Sequence, residues 1–358
     1  DALATVTYPG NKKNLIEAEM LADDVRIDGM KVTFTLVFPR ETDPFLKSTL
    51  KAAEAAIHYH VDKAVEVEIK TEFKSAPRPE VGKLLPQVKN VIAVSSGKGG
   101  VGKSTVSANL AIALAIMGYK VGLLDTDIFG PSMPKMFGVE SERPYAVEKD
   151  GRQLIEPIEK YGVKLLSIGF FVNPDTATLW RGGMATSALK QLIADADWGD
   201  LDFFILDTPP GTSDIHLTLL QTLSITGAVI VSTPQNVALA DARKGIDMYR
   251  NDKVNVPILG LVENMAWFTP AELPENRYYI FGKEGCKQLA KEMGCPLLAQ
   301  IPLVQSICDN GDAGTPAVLN TESQTGQAFL NLAQAVVTVT NRRNKELPKT
   351  RIVDISKK

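Results

Sequence analysis

Residues 97–105 read Gly-Lys-Gly-Gly-Val-Gly-Lys-Ser-Thr. They satisfy the spacing G-x-x-x-x-G-K-[ST], whose chemistry is the cradling of a phosphate chain. Gly97, Gly99, Gly100 and Gly102, with Val101 between them, let the backbone approach an anion closely. Lys103 is placed to reach the β- and γ-phosphates of a nucleotide, and the Ser104 hydroxyl, followed by Thr105, to ligate Mg²⁺. A second lysine, Lys98, stands near the start of the loop, where an ordinary phosphate loop needs none.

Two acidic segments complement the loop. Asp125-Thr126-Asp127-Ile128-Phe129-Gly130-Pro131 follows a short apolar run. An acidic pair there can orient water around Mg²⁺ and polarise an attacking water. Asp207 closes the apolar run 203–206 and precedes Thr208-Pro209-Pro210-Gly211-Thr212-Ser213-Asp214. A carboxylate at the end of a strand is the Walker B arrangement, which holds Mg²⁺ through water. Asp214 serves this site or caps the next helix equally well. Asn264, after Glu263, has an amide that both donates and accepts, as adenine recognition requires.

The elements that must position these groups are also legible. Val91-Ile92-Ala93-Val94 has the β-branched character of a buried parallel strand. After Ser104, Val106, Leu110, Ala113, Leu114 and Met117 recur at helical spacing, and Gly118 marks a stop. The loop therefore joins a strand to a helix whose N-terminus faces the anion. Further strands are expected at residues 121–125, 203–207, 228–232 and 258–263, with another closing at Ile301-Pro302. Alternation of strands and helices predicts an α/β fold with a mostly parallel sheet, helices on both faces and ligands at the strand carboxyl ends.

Residues 1–75 read as a separate small α+β unit. Residues 24–38 form a hairpin turning at Asp28-Gly29. Asp43-Pro44 starts a helix that runs to about residue 59 and buries Leu46, Leu50, Ala53 and Ile57. Val65, Val67 and Ile69 alternate as a third strand. Residues 76–90 read as a linker, residues 91–342 as the phosphate-loop domain and residues 343–358 as a flexible polar tail.

Composition narrows the function classes. The chain has 358 residues, 44% hydrophobic and 23% charged, with a formal net charge of −3. That balance gives no electrostatic case for nucleic acid or an anionic membrane as partner. Three cysteines, Cys286, Cys295 and Cys308, cannot make a full disulfide framework and fit a reducing compartment; with a need for ATP, the cytoplasm is expected. His58 and His60 are two apart and share no helical face, and His216 reads as surface or packing.

Residues 97–105 with Lys98, residues 125–131 and residues 207–214 together resemble the Mrp/ApbC family. These are deviant-Walker P-loop ATPases of the SIMIBI class, described as iron–sulfur cluster carriers. Trp180-Arg181-Gly182, Asp197-Trp198-Gly199, Val262-Glu263-Asn264-Met265 and Ile301-Pro302-Leu303 extend the match over residues 91–341. The first domain resembles the small iron–sulfur-assembly domain that often precedes such ATPases. The resemblance implies a homodimer clamped around Mg-ATP, slow hydrolysis and iron–sulfur client apoproteins. Lys98 would act on the nucleotide of the partner subunit. Asp127 would activate water in switch I beside Asp125, and Asp207 would open switch II. Asn264 and Pro302 would lie against the adenine.

One departure stands out. Cluster-carrying members have a C-x-x-C pair shortly after the Glu-Asn-Met segment, whereas residues 267–279 here contain no cysteine. Iron–sulfur clusters need thiolate ligands. A [4Fe–4S] cluster on this chain would draw on Cys286, Cys295 and Cys308, alone or across a dimer, with Cys286 nearest in sequence to the usual place. Equally, all three cysteines can be small buried hydrophobes. Two other functions stay open: a partitioning or positioning ATPase, and a regulatory ATPase without metal handling.

Overall fold

The structure, a computed structural model, describes residues 2–9, 13–22, 24–38, 45–73, 84–149, 151–171, 182–270 and 272–353. The expected helix start at Asp43-Pro44, the pair Trp180-Arg181, linker residues 76–83 and tail residues 354–358 lie outside them. The chain divides into two compact units, residues 1–80 and 81–358.

In the first unit, β1 (Arg26–Asp28) and β2 (Lys31–Phe38) pair antiparallel, α1 spans Leu46–His60, and β3 (Glu66–Phe73) pairs parallel to β2. The tight connection is Gly29-Met30, one residue later than the sequence pattern places it. Gly29 carries the positive φ of +58° that the turn requires. Phe34, Leu36 and Phe38 alternate along β2 onto Ala53 and Ile57 of α1, all buried. Leu46 and Leu50 are only half-buried, and Thr49 is buried in their place.

The second unit is built from β4 (Val88–Ser95), α2 (Lys103–Ile116), β5 (Val121–Asp125), α3 (Met133–Met136), the hairpin β6–β7 (Ala146–Lys149, Arg152–Ile155), β8 (Ile158–Lys160), β9 (Val163–Ser167), α4 (Gly182–Ala194), β10 (Leu201–Asp207), α5 (Asp214–Thr222), β11 (Gly227–Ser232), α6 (Asn236–Arg250), β12 (Ile258–Glu263), α7 (Gly285–Glu292), β13 (Leu297–Gln300), α8 (Gln305–Asp312) and α9 (Gln324–Glu346). Eight strands form one sheet in the order β13-β12-β11-β4-β10-β5-β9-β8. Every pair in it is parallel except β8–β9. Helices α2 and α9 pack into the core on one face; α4, α5, α6 and α7 pack into the core on the other. The expected α/β architecture is therefore the one observed. Strands β8 and β9 and the β6–β7 hairpin are short and partly charged, and carry no clear sequence signal.

Two expectations at the ends of this unit are corrected. Leu84 and Leu85 are half-buried against the core and β4 already begins at Val88, so residues 84–90 are not linker. The described part of the tail is also ordered. Arg343 is buried, Val353 is buried, and the Val353 N–H donates to the Leu220 carbonyl at 3.0 Å. Charge and polarity along the segment hid this packing, because one apolar anchor suffices to hold it.

Trp198 is fully buried on Phe204 of β10, with ring centroids 4.6 Å apart, and its indole N–H donates to the Leu192 carbonyl. Trp198→Ala opens a cavity and orphans that carbonyl, so we expect a loss of about 3–5 kcal/mol, read by urea unfolding. A loss below 1 kcal/mol would show that the site collapses freely.

Candidate nucleotide site

The register of three neighbouring strands creates the site. Asp207 of β10 stands opposite Asp125 of β5 on one side and Val94 of β4 on the other. Three strand ends and the loop that follows β4 thus meet at one point on the carboxyl edge of the sheet. α2 begins at Lys103, directly after Gly102, so its free N–H groups face that point. Val106, Leu110, Ile112 and Leu114 anchor the helix in the core.

Only glycine fits at two positions of the loop. A Cβ on Gly97 would lie 2.1 Å from the backbone carbonyl carbon of Asp241 in α6. Gly102 has φ +80°, and a Cβ there would lie 2.2 Å from Nδ2 of Asn264. That same amide donates to the Val101 carbonyl at 2.8 Å. Asn264 therefore braces the loop from the end of β12. Asn264 and Pro302 line, with Gly102, Thr105, Met265 and Leu303, a cavity of about 380 Å³ beside the loop.

Lys103 and Asp207 form a buried ion pair, Nζ to Oδ1 2.8 Å, with 6% and 0% of their side chains exposed. The Ser104 hydroxyl donates to Asp207 Oδ2 at 2.7 Å and the Ser107 hydroxyl to Oδ1 at 2.6 Å. Thr126 donates to the Asp207 carbonyl at 2.8 Å. Ser107 and Thr126 support Asp207 without a motif of their own. One helical turn after Lys103 and one residue after Asp125, respectively, their positions carried the signal.

Asp125 is buried. Its carboxylate accepts from the Asp127 N–H, the Met133 N–H and the Ser167 hydroxyl. Burial, and then the negative charge of Asp207, push its carboxyl up to about 7. Asp127 is half-buried and its carboxyl is raised chiefly by burial; its Oδ1 accepts from the Gly130 N–H at 3.2 Å. Lys98 is half-buried, its carbonyl accepting from Ser96 Oγ, and it makes no ion pair among the described residues.

Of the two expectations for His216, packing is the one observed: it is buried, and it also caps a helix. Ser213 is the N-cap of α5, and His216 Nδ1 accepts the Ser213 N–H at 3.1 Å. With Nδ1 accepting, the ring proton belongs on Nε2, which is buried without a partner. Asp214 lies exposed in the first turn of α5, where its charge suits the helix dipole.

Cys286 is also corrected as a cluster ligand. It is fully buried, with Sγ 3.8 Å from the carbonyls of Ser232 and Thr233, and its N–H donates to the buried Glu263 carboxylate. Burial, then the Glu263 charge, raise its thiol pKa, so the thiolate a metal needs is disfavoured. Cys295 is half-buried and Cys308 exposed. Among the described residues, no three His, Cys, Asp or Glu side chains are grouped as metal ligands, and no helix is long and apolar enough to cross a membrane.

A glycine-rich loop between a parallel strand and a helix, with lysine, hydroxyl and strand-end carboxylate converging on it, defines a P-loop NTPase. Comparison with known proteins narrows this. Residues 87–337 match the family described as NUBPL iron-transfer P-loop NTPase, and residues 1–70 match an iron–sulfur cluster assembly protein family. An iron–sulfur cluster carrier protein of Synechocystis is 42% identical over 347 residues, covering 94% of this chain and 96% of the relative. One from Aquifex aeolicus is 49% identical over 257 residues, covering 71% and 69%. Among solved structures, an Archaeoglobus fulgidus nucleotide-binding protein in complex with ADP superposes with a TM-score of 0.58 at 35% identity, covering 69% of this chain and 94% of that one. The chain belongs to the iron–sulfur cluster carrier family of P-loop NTPases.

The His216 ring gives a pH test. Burial, then the Lys103 charge, lower its pKa to about 4 from the ordinary 6.5. A group depressed in the folded state contributes stability above its unfolded pKa and loses it as pH falls toward the folded value. The His216 contribution to stability therefore falls between about pH 6.5 and pH 4, while the raised Asp125 carboxyl acts in the opposite sense over that range and is common to both proteins compared. His216→Gln should remove about 3 kcal/mol of that fall. An identical acid limb in urea titrations of both proteins would refute the assignment.

Proposed function

We propose that this chain is a slow Mg-ATPase that works as a homodimer in the handling of iron–sulfur clusters. The observation that carries the reading is the convergence of Lys103, Ser104 and Asp207 at the bare N-terminus of α2. Hydroxyl and carboxylate oxygens are the donors a hard cation such as Mg²⁺ takes, so Ser104 would ligate it directly and Asp125 and Asp207 through water. The loop residues 97–105 would hold the phosphates, and Lys103 would follow the β- and γ-phosphates once they draw it away from Asp207. Asn264 and Pro302 would receive the adenine in the cavity beside the loop.

Asp127 is more exposed than Asp125 and sits on the same strand end, which suits a carboxylate that orients the attacking water. Lys98, half-buried and without an ion pair among the described residues, suits a charge delivered to the partner subunit's nucleotide, as an arginine finger is. Lys103→Ala should abolish ATP binding or turnover. Lys98→Ala should retain ATP yet lose turnover. Asp127→Asn should bind ATP and slow turnover by roughly 10²-fold. Undiminished phosphate release from Lys103→Ala would overturn the reading.

The cargo is an iron–sulfur cluster in transit to client apoproteins, inferred from the relatives' names. Of the three cysteines only Cys308 is exposed to solvent. Cluster capture would therefore use Cys308, the two copies in a dimer supplying two thiolates and thiols from outside the chain the other two. Anaerobic reconstitution with iron and sulfide should give a visible cluster band in the wild type that Cys308→Ser lacks. Equal iron in the triple variant Cys286→Ser, Cys295→Ser, Cys308→Ser would show the binding to be adventitious.

A further inference from the structure

At the opposite end of β4 from the phosphate loop, the second unit holds a larger cavity of about 980 Å³. Its walls come from the chain entering β4 and from the ordered tail returning beneath the sheet. Leu84, Leu85, Val88, Val91, Leu223 and Ile352 make much of it apolar. Its polar lining is one-sided. Lys89, Arg343, Lys349 and Arg351 face it, and no carboxylate residue among the described residues lines it. Lys89 is already neutralised by Asp202 at 2.7 Å. Lys349 and Arg351 are exposed and make no ion pair among the described residues.

Arg343 is the unusual member. Its residue surface is 93% buried, with 7% exposed. Its guanidinium donates to Asn344 Oδ1 at 3.3 Å, the Leu347 carbonyl at 3.5 Å, the Pro348 carbonyl at 2.6 Å and Thr350 Oγ1 at 2.8 Å. All four acceptors are neutral, and Nε is buried with no acceptor. Burial lowers the proton affinity of the guanidinium, and Arg343 makes no ion pair among the described residues. Buried charges are normally paired, because an uncompensated one costs several kcal/mol. The four neutral bonds explain how the tail is clamped; they leave the charge and Nε unmatched.

The volume fits an organic molecule rather than a bare ion, since small-molecule sites span roughly 300–1,000 Å³. We propose that this cavity binds an organic anion, a carboxylate carried on an apolar body, whose head meets Arg343 with Lys349 and Arg351 while its body lies on Leu84, Val91 and Leu223. The head supplies the missing counter-charge, and the apolar walls supply the affinity that a free inorganic anion would lack. The site lies at the amino end of the central strand, apart from the nucleotide loop at its carboxyl end, so both can be filled together.

The test uses the full-length chain and decanoate as probe, followed by titration calorimetry and by thermal unfolding. Wild-type protein should bind one decanoate per chain, with a rise in Tm, and saturating Mg-ATP should not displace it. The double variant Lys349→Ala, Arg351→Ala should bind at least tenfold more weakly. Arg343→Gln, checked for folding by circular dichroism, should lose binding altogether. Absence of saturable decanoate binding to the wild type would overturn the proposal. So would equal affinity in the wild type and the folded charge variants, displacement by Mg-ATP, or inorganic phosphate binding as tightly as decanoate.

Discussion

The ion pair between Lys103 and Asp207 is the interaction on which the second unit depends. Both side chains are almost fully removed from water, at 2.8 Å, where attraction repays desolvation only if the remaining lone pairs are satisfied. Here they are, by the Ser104 and Ser107 hydroxyls. Losing one partner would strand a buried charge at a cost of about 3–5 kcal/mol. The pair therefore fixes how β10 and α2 meet. It also joins the fold to its chemistry, because the lysine that neutralises Asp207 is the one placed to follow phosphate charge.

Close backbone approach is the second constraint. Gly97 touches α6 at Asp241, and Gly102 leaves room for Asn264, whose amide holds the Val101 carbonyl. The loop is gripped from two neighbouring elements, so its shape is set before any ligand arrives. Preorganisation of this kind spares the ordering entropy that a floppy phosphate loop would spend on binding. Asp125, raised by burial beside Asp207, completes an edge where two carboxylates stand in one low-dielectric place; a divalent cation would relieve their repulsion.

The cysteines show how burial decides chemistry that residue type leaves open. Cys286 is nearest in sequence to the family's usual thiol pair, yet the sheet seals it under α7 against two carbonyls and a buried carboxylate. Cys308, farther along the chain, is the one solvent reaches. The segment that departs from the thiol pattern is instead held by Phe268, which bridges to Tyr278 and Leu303, and by Arg277 stacked over Trp267.

By itself the sequence determined the elements whose signals are local. The phosphate loop, the strand-to-helix step, the strand-end Asp125 and Asp207, and the alternation that makes a parallel sheet are all short-range patterns, and the structure shows each in its expected element. Three kinds of feature needed the tertiary structure. Strands β8 and β9 and the β6–β7 hairpin have weak periodicity and take their form from neighbours. Partners such as Ser107 to Asp207, Ser167 to Asp125 and Asn264 to Val101 come from distant parts of the chain, or from a helix face that only packing selects. Finally, whether His216, Cys286 or Arg343 is buried could not be read from their residue types. Burial is a property of what the rest of the chain places on top of a residue, and it decided between surface and packing for His216, turned a candidate ligand into an inert thiol, and made part of a presumed loose tail the wall of a charged cavity.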